Sequence, residues 1–335
     1  MIPHNRVCLT SDDERAVMAV LRSGWIGPGR EVEAFEEELA ARFRPGGAAA
    51  CVSSGTAAIR LAVMILFGRE PDRERSISTY SCSALYHALN GHVPLGTYWN
   101  VKVKDCDATL CASDASVVVH TYGVPCSVAD DAISDFTHAP DASLDGTTCG
   151  SMGALSVISF GATKPLGCGS GGAVLGPPDL IAEIKDRRDY DGKRELRERF
   201  NYAWSDAGAA LGRSRLKRLD EENRRRSKIA MIYDAARGAK VWDGEPAETR
   251  IWYRYVIRVP DPQAAIAHFA AHGVEAINPL EPWELLHRQL SLDPKDFPNA
   301  EDAAAHTVSL PIWPGMSDEQ VNQVAQALET MEVNV

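Results

Sequence analysis

A short apolar segment that leads into a glycine-rich loop constrains the fold of this chain most strongly. Ala154 to Phe160 is predicted to be a buried strand, because the run is short, rich in β-branched residues and bounded by glycine. The loop that follows carries Lys164-Pro165 and then Gly167, Gly169 and Gly171-Gly172. Proline disfavours helical geometry in the preceding residue, so Lys164 is predicted to lie on an irregular loop at the strand exit. Such a lysine can be desolvated and form a Schiff base with a carbonyl, whereas an arbitrary loop lysine is usually just solvated.

A second segment joins a Ser-Gly-Thr turn, which contains Gly55 and Thr56, to an apolar run from Ala57 to Phe67. A helix that is apolar nearly all round is predicted to be buried. Its N-terminus would present free backbone N–H groups and the positive end of the helix dipole, which suits a phosphate. Serine and threonine also cap helices for structural reasons alone, and that alternative stays open at this point.

Polar residues end three further predicted strands. Tyr80 ends a strand at 76–80, His120 ends one at 116–120, and Asp135 ends one at 132–135. Strands of this kind with helices between them predict an α/β domain that binds ligands at the carboxyl edge of a mostly parallel sheet.

The sequence changes in character near Gly238, which predicts two domains. Residues 1–237 form the large domain, with N-terminal helices and a long helical region from about 201 to 237 that links it to the rest. Residues 238–335 form a small C-terminal α/β domain with a strand at 251–259, a helix at 264–271, a strand at 274–277 and a last helix capped by Ser317.

Charge and apolar content exclude several classes of protein. The formal net charge of -11 argues against nucleic acid or an anionic membrane as the main partner. The longest apolar run, residues 57–67, is too short to cross a bilayer and contains Arg60. The first six residues are not followed by an apolar region of the kind found in signal peptides, so a cytoplasmic protein is predicted. The histidines show no pair at metal-ligand spacing, and Gly169-Ser170-Gly171 lacks the pattern of a serine nucleophile.

Four separated features suit one cofactor, pyridoxal phosphate. It needs a phosphate cradle, a flat ring to stack on, a carboxylate that keeps the pyridine nitrogen protonated, and a Schiff-base lysine. Gly55-Thr56, Tyr80, Asp135 and Lys164 supply these groups in that order.

The chain resembles the sugar aminotransferases of the DegT/DnrJ/StrS group, within fold type I of the pyridoxal-phosphate enzymes. The motifs occur in the same order along the chain as in that group. The motifs that carry the resemblance are Ser23–Gly29 with Phe35-Glu36, Ser54–Ala58, Thr79-Tyr80, His120–Pro125, Ser134–Ala139, Ser159–Lys164 with Gly171–Ala173, Asn201-Tyr202, and Leu310–Ile312 with Ser317. The resemblance implies a large domain with a mostly parallel sheet flanked by helices, plus the small C-terminal domain. It also implies that Asp135 is the pyridinium partner, that Ser159 binds the phosphate, and that Asn201 reaches the cofactor phosphate of a neighbouring subunit. A homodimer with composite active sites follows from the last point.

The chain departs from this family at several positions. Ser134, Phe136, Thr137 and His138 stand where the family more usually has Glu, Ala, Ala and Gln, and Ala203 stands where it usually has Arg. His138 can still hydrogen-bond the ring oxygen of the cofactor, with a charge that would alter the Schiff base. The segments 100–116 and 125–132 are short for the helices that the family places there, so a more open pocket is expected.

The sequence therefore predicts an aminotransferase that moves an amino group from an amino acid such as glutamate to a keto-sugar linked to a nucleotide. Lys164 would hold the cofactor and then act as general base. Trp25, Ile26 and His287 are candidate substrate-facing residues, as are Trp252 and Trp283, although packing explains the tryptophans equally well. Two alternatives are a related enzyme that dehydrates sugars and a catalytically silent regulatory relative. The family's dehydratases have histidine at the lysine position, so Lys164 counts against the first, and Lys164 with Asp135 counts against the second. The sequence does not identify the sugar, the nucleotide or the carbon that is aminated.

Overall fold

The computed structural model describes residues 1–68, 74–90, 101–106, 114–238 and 250–331. Its strands are β1 (Ala48–Val52), β2 (Arg75–Ser78), β3 (Val101–Lys104), β4 (Val117–Val119), β5 (Ile133–Asp135), β6 (Ser143–Leu144), β7 (Thr147–Thr148), β8 (Leu155–Ser159), β9 (Gly172–Gly176), β10 (Tyr255–Arg258) and β11 (Thr307–Leu310). Its α-helices are α1 (Ser11–Ser23), α2 (Arg30–Phe43), α3 (Gly55–Phe67), α4 (Ala84–Asn90), α5 (Pro178–Arg187), α6 (Asp206–Leu216), α7 (Leu219–Arg237), α8 (Pro262–Ala271), α9 (Leu286–Gln289), α10 (Pro298–His306) and α11 (Asp318–Glu329).

A seven-stranded sheet in the order β1-β9-β8-β5-β4-β2-β3 forms the centre of the molecule. Only β9 runs against its neighbours within this sheet, where it pairs antiparallel with β1 and β8. Strands β3, β2, β4, β5 and β8 are parallel, so they end at one common edge. The predicted α/β class with a mostly parallel sheet flanked by helices is therefore confirmed.

Helix α3 packs against the middle of this sheet, as its apolar sequence predicts. Ala58, Leu61 and Ala62 are fully buried, in one core with strand residues such as Val157 and Val174. Helix α2 lies in a second core, in which Phe35 and Phe160 pack against each other. Because α2 and α3 are both held by buried side chains, the N-terminus of α3 and the ends of the neighbouring strands have fixed positions. Polar residues lie at these ends.

In the C-terminal part of the chain, β10 and β11 form a separate antiparallel sheet. Helices α8 and α11 pack on this sheet. The core of this unit also contains Ile229, Ala230 and Tyr233 from the second half of α7. The domain division at 237/238 stays a prediction. Each helix in the described part of the chain is too short or too polar to cross a membrane.

Several local predictions need correction. Ser11-Asp12-Asp13-Glu14 is typical of a capping box that starts at Ser11, but the observed cap is Thr10 with Asp13, one residue earlier. Asp179 after two prolines is typical of a helix N-cap, but it lies in the first turn of α5, and Pro177 occupies the cap position. The predicted helix over 201–237 is two helices, α6 and α7, because the chain turns at Lys217 and Arg218.

Two predicted strands are also shorter than expected. The strand over 251–259 is regular only at Tyr255–Arg258. In place of a strand at 274–277, Val274 and Ile277 each form one isolated bridge, to Ile2 and Ser309. Of the two segments predicted to be short, 125–132 contains no helix, and the centre of 100–116 lies outside the described residues.

Candidate active site

A cavity of about 670 Å³ lies at the carboxyl edge of β4, β5 and β8. We call one part of its lining the cofactor end, which comprises Gly55, Thr56, Asp135, Ser159 and Lys164. We call a second part the mouth, which comprises Tyr253, Arg254, Leu280, Trp283 and Glu284. Tyr80 and His138 also line the cavity. The structure thus brings together seven of the predicted cofactor residues from four separate segments.

Lys164 lies on the loop between β8 and β9. Two backbone hydrogen bonds close this loop, from Phe160 N to Gly171 O at 2.9 Å and from Cys168 N to Phe160 O at 2.8 Å. Lys164 N donates to Gly161 O in a tight turn, and the side chain extends to 2.9 Å from Nε2 of His138. The strand-exit loop predicted from Pro165 is observed, and it holds a half-buried amine in the cavity.

Asp135 is the last residue of β5 and is only 8% exposed. Its Oδ1 accepts a hydrogen bond from Thr137 N at 3.0 Å. Burial raises the pKa of Asp135 above its ordinary value, and the hydrogen bonds from Thr137 and the charge of Lys164 oppose that shift. A buried carboxylate of this kind gains most from a positively charged hydrogen-bond donor placed beside it.

The N-terminus of α3 and the end of β8 meet at the other side of the cofactor end. A Cβ on Gly55 would lie 2.6 Å from Ser159 Cβ, so glycine is what lets the serine hydroxyl sit beside the helix N-terminus. Ser159 Oγ accepts a hydrogen bond from Gly161 N at 3.2 Å and keeps its own proton to donate. Ser54 Oγ caps the helix through Ala57 N, whereas Thr56 is exposed to the cavity. The capping role is thus observed for Ser54, and phosphate binding at Gly55 and Thr56 stays a prediction.

Two aromatic pairs line the cavity. The hydroxyl groups of Tyr80 and Tyr122 are 2.9 Å apart, and their rings meet edge to face with centroids 6.3 Å apart. The ring of His138 stacks on Tyr253 at 4.2 Å and 19°. Burial and the nearby charges of Lys164 and Arg254 hold the pKa of His138 well below its ordinary value, so the imidazole is neutral. A neutral Nε2 can accept a hydrogen bond from the lysine.

The predicted substrate-facing residues separate into two groups. His287 is fully buried, with Nδ1 2.8 Å from Thr79 Oγ1 and Nε2 2.7 Å from Glu301 Oε1, and it is not part of the described cavity lining. Trp25 and Ile26 are exposed on the loop between α1 and α2, where Trp25 Nε1 donates to Pro28 O, and they are likewise absent from that lining. Trp252 is buried and stacks on Tyr255, as the packing explanation predicts.

Trp283, in contrast, is 68% exposed and lies in the mouth. Asn201 is exposed on the loop that precedes α6, where a second subunit could meet it, and its predicted role stays a prediction. Sequence reasoning missed Tyr253 and Arg254, because they occur in a segment that looked like an ordinary aromatic strand and carry no motif of their own.

The cofactor end fits pyridoxal phosphate group by group. A helix N-terminus with two hydroxyls suits a phosphate, a buried carboxylate suits a protonated ring nitrogen, and Lys164 supplies an amine in the same cavity. The absence of a Cβ at Gly55 lets Ser159 approach the N-terminus of α3, so both groups can serve one phosphate. Fold and cavity together define a pyridoxal-phosphate-dependent aminotransferase.

The profile of the DegT/DnrJ/EryC1/StrS aminotransferase family matches residues 7–329, and the chain belongs to this family. Among curated proteins it is similar to dTDP-3-amino-3,4,6-trideoxy-alpha-D-glucose transaminase of Streptomyces venezuelae, with 28% identity over 96% of this chain and 92% of the relative. It is also similar to dTDP-3-amino-3,6-dideoxy-alpha-D-galactopyranose transaminase of Aneurinibacillus thermoaerophilus, with 27% identity over 94% of both chains.

Solved structures agree with this assignment. The aminotransferase TlmJ from Streptoalloteichus hindustanus superposes with a TM-score of 0.82 and 25% identity, covering 98% of each chain. Spr1654 from Streptococcus pneumoniae in its PLP form has the same fold, with a TM-score of 0.85 and 19% identity over 98% of each chain. The predicted family, enzyme class and cofactor are confirmed.

Proposed function

We propose that this enzyme transfers an amino group from an amino acid such as glutamate to the carbonyl of a nucleotide-linked keto-sugar. The observation that carries the proposal is that Lys164 and Asp135, from different segments, line one cavity together with the exposed Trp283. The two nucleotide-sugar transaminases named above support the choice of substrate class.

When bound, pyridoxal phosphate supplies an electron sink and carries the amino group from one substrate to the other. Gly55, Thr56 and Ser159 would hold its phosphate, Tyr80 would pack on its ring, and Asp135 would keep its ring nitrogen protonated. These assignments are supported by the burial of the carboxylate and by the free hydroxyls at the helix N-terminus.

Lys164 moves the proton. Its Nζ removes a proton from the α-carbon of the donor and holds it as an ammonium group. Nε2 of His138, 2.9 Å away and neutral, accepts a hydrogen bond from that ammonium and orients it. The half-buried position of Lys164 limits competing exchange with bulk water.

The proposal extends to a cytoplasmic homodimer in which Asn201 of one subunit reaches the cofactor phosphate of the other. Its exposed position on the loop before α6 supports a contact made between subunits. Mixing Lys164→Ala subunits with Asn201→Ala subunits tests this arrangement, because a mixed dimer regains one site with both native residues. Activity that does not rise after mixing contradicts the composite site.

The central test uses purified protein with added pyridoxal phosphate. We expect a visible absorption band from the lysine-bound cofactor, its loss on adding glutamate, and its return with one member of a panel of nucleotide keto-sugars. Lys164→Ala should remove the band and lower turnover by about 10⁴-fold, the upper range for loss of a general base. His138→Gln is the matched control, because it keeps a hydrogen-bonding group next to Lys164. Full turnover by Lys164→Ala would overturn the proposal.

A further inference from the structure

Arg254 is the one cationic residue of the mouth, and the proposed reaction does not use it. It follows Tyr253 directly before β10 and lines the cavity together with Lys164. Its Nη1 is buried without a hydrogen-bond partner, and no ion pair involves Arg254 in the described part of the chain. Buried guanidinium groups are normally paired, because an unpaired charge or donor loses its hydration without compensation. An anion supplied by a substrate would satisfy this group.

The two acidic residues of the described cavity lining already accept hydrogen bonds from other groups. Glu284, which also lines the mouth, uses its Oε2 to accept a hydrogen bond from Glu281 N at 2.9 Å within the turn 281–284. Asp135 lies at the cofactor end and is engaged with Thr137. Arg254 lines the cavity, so an anion bound there can pair with its guanidinium group.

The position of Arg254 relative to Lys164 limits which anion this is. Arg254 Cζ lies 5.7 Å from the centroid of the Tyr253 ring, and Lys164 Nζ lies 5.2 Å from the same centroid. One aromatic ring thus contacts both cationic groups. The charges of both groups also act on His138, so an anion held by Arg254 lies on the side of the cavity where Lys164 works.

We propose that Arg254 binds the α-carboxylate of the amino acid donor. This inference rests on the proposed function, in which Lys164 removes the proton from the donor's α-carbon. The carboxylate is one bond from that carbon, so it falls within reach of a guanidinium that shares a ring with the lysine. The planar guanidinium offers two parallel N–H donors that match a carboxylate.

The phosphates of a nucleotide-linked sugar match this position less well. They lie outside the sugar ring, farther from the reacting carbon than a carboxylate that is bonded to it. The cofactor's phosphate has its own cradle at Gly55, Thr56 and Ser159. Arg254 is thereby assigned to the donor half of the reaction.

The test compares the donor half-reaction of wild type, Arg254→Gln and Arg254→Lys. The loss of the visible absorption band of the lysine-bound cofactor measures the rate of this half-reaction. Loss of a charge-assisted bidentate contact should lower kcat/KM for glutamate by about 10- to 100-fold, mostly through KM. Wild type should prefer glutamate to its 1-amide, and Arg254→Gln should lose that preference. Arg254→Lys, which keeps the charge without the fork, should fall between the two. Arg258→Gln on β10, half exposed and paired with Asp302, is the matched control and should behave as wild type.

A binding experiment makes the result independent of turnover. L-2-hydroxyglutarate keeps the α-carboxylate but has no amine, and its 1-amide lacks the charge at that position. By calorimetry, wild type should bind the acid at least about 10-fold more tightly than the amide, and Arg254→Gln should bind both equally. If Arg254→Gln does not fold, as judged by circular dichroism, the same comparison with Arg254→Lys decides.

The failures are distinguishable. Unchanged preference for the acid in Arg254→Gln overturns the role of Arg254, and so does a rise in KM confined to the nucleotide keto-sugar. Wild-type protein that converts no donor refutes the proposed function, and hydroxyglutarate binding still decides whether Arg254 holds a carboxylate.

Discussion

The cofactor end and the mouth of the cavity are built from different kinds of structure. Asp135 and Ser159 each end a strand of the central sheet, and Gly55 begins a buried helix, so the backbone of the core fixes their positions. The residues of the mouth come from the segments 253–254 and 280–284, which are loops and a short turn. The residues to which we assign the chemistry are therefore fixed by strand and helix ends, whereas those that we propose for substrate recognition lie outside regular elements.

The largest effect is expected from a substitution at the cofactor end that leaves the mouth unchanged. Asp135→Asn removes the buried negative charge and should lower the rate of the donor half-reaction by about 10²- to 10³-fold, as for other single electrostatic groups. The KM for the keto-sugar should stay unchanged, which stopped-flow absorbance can check. Asp130→Asn, on the exposed loop before β5, serves as the control. A donor rate within threefold of wild type would refute the assigned role.

A second prediction tests whether backbone geometry holds the lysine loop. Gly171 has φ of 108°, and a Cβ there would lie 2.5 Å from the Trp204 ring, so Gly171→Ala combines backbone strain with a clash. It should lower the free energy of unfolding by about 2–4 kcal/mol. Gly146→Ala, with φ of 79° and open space around it, should cost about 1 kcal/mol from strain alone. Equal losses in urea unfolding would show that the contact with Trp204 is unimportant.

The third prediction concerns pH and the framework behind the cofactor end. His120 is fully buried; Cys126 N donates to its Nδ1, and Nε2 lies 2.9 Å from Ser134 Oγ. Burial lowers the pKa of His120 to about 3. Between pH of about 6.5 and 3 the unfolded chain binds a proton here and the folded chain does not, so stability should fall as pH falls.

His120→Gln should reduce the slope of unfolding free energy against pH in this window by up to about 1.4 kcal/mol per pH unit. Urea unfolding at several pH values measures this slope. His272→Gln, at an exposed position, should leave the slope as in wild type. A slope unchanged in His120→Gln would contradict the neutral, buried imidazole.

The smallest expected effect lies at the mouth. Trp283 is largely exposed and lines the cavity, so it can pack on the acceptor. Trp283→Ala should raise the KM for the keto-sugar about 5- to 10-fold, the range for one aromatic contact, and leave the donor half-reaction unchanged. Trp25→Ala, equally exposed but outside the cavity lining, is the control. A larger effect at Trp25 would move the acceptor site to the α1–α2 loop.

The sequence predicted the fold well where patterns are local. The apolar run at 154–160, the all-apolar helix after Gly55 and the alternation of strands and helices each follow from short-range periodicity. The lysine loop could be predicted because Pro165 and the glycines restrict the backbone locally. Helix and strand limits were less accurate, as at 201–237 and 251–259, since tertiary packing decides where a marginal element ends.

The substrate-facing residues could not be predicted in the same way. Nothing in the sequence indicated that His287 is buried. In the structure it lies between Thr79 and Glu301, which are both far from it along the chain. Tyr253 and Arg254 have no motif, and only the approach of their segment to the lysine loop makes them part of the cavity. Exposure and burial of single side chains depend on contacts between distant segments, which periodicity does not encode.

The sequence by itself determined the α/β class, the family resemblance and the residue types of the cofactor end, because strand ends and a helix N-terminus impose those residues locally. The tertiary structure alone decided which segments meet at the mouth. It placed Lys164 beside His138 and left the Nη1 of Arg254 without a partner, since those relations depend on how loops from distant parts of the chain pack around one cavity.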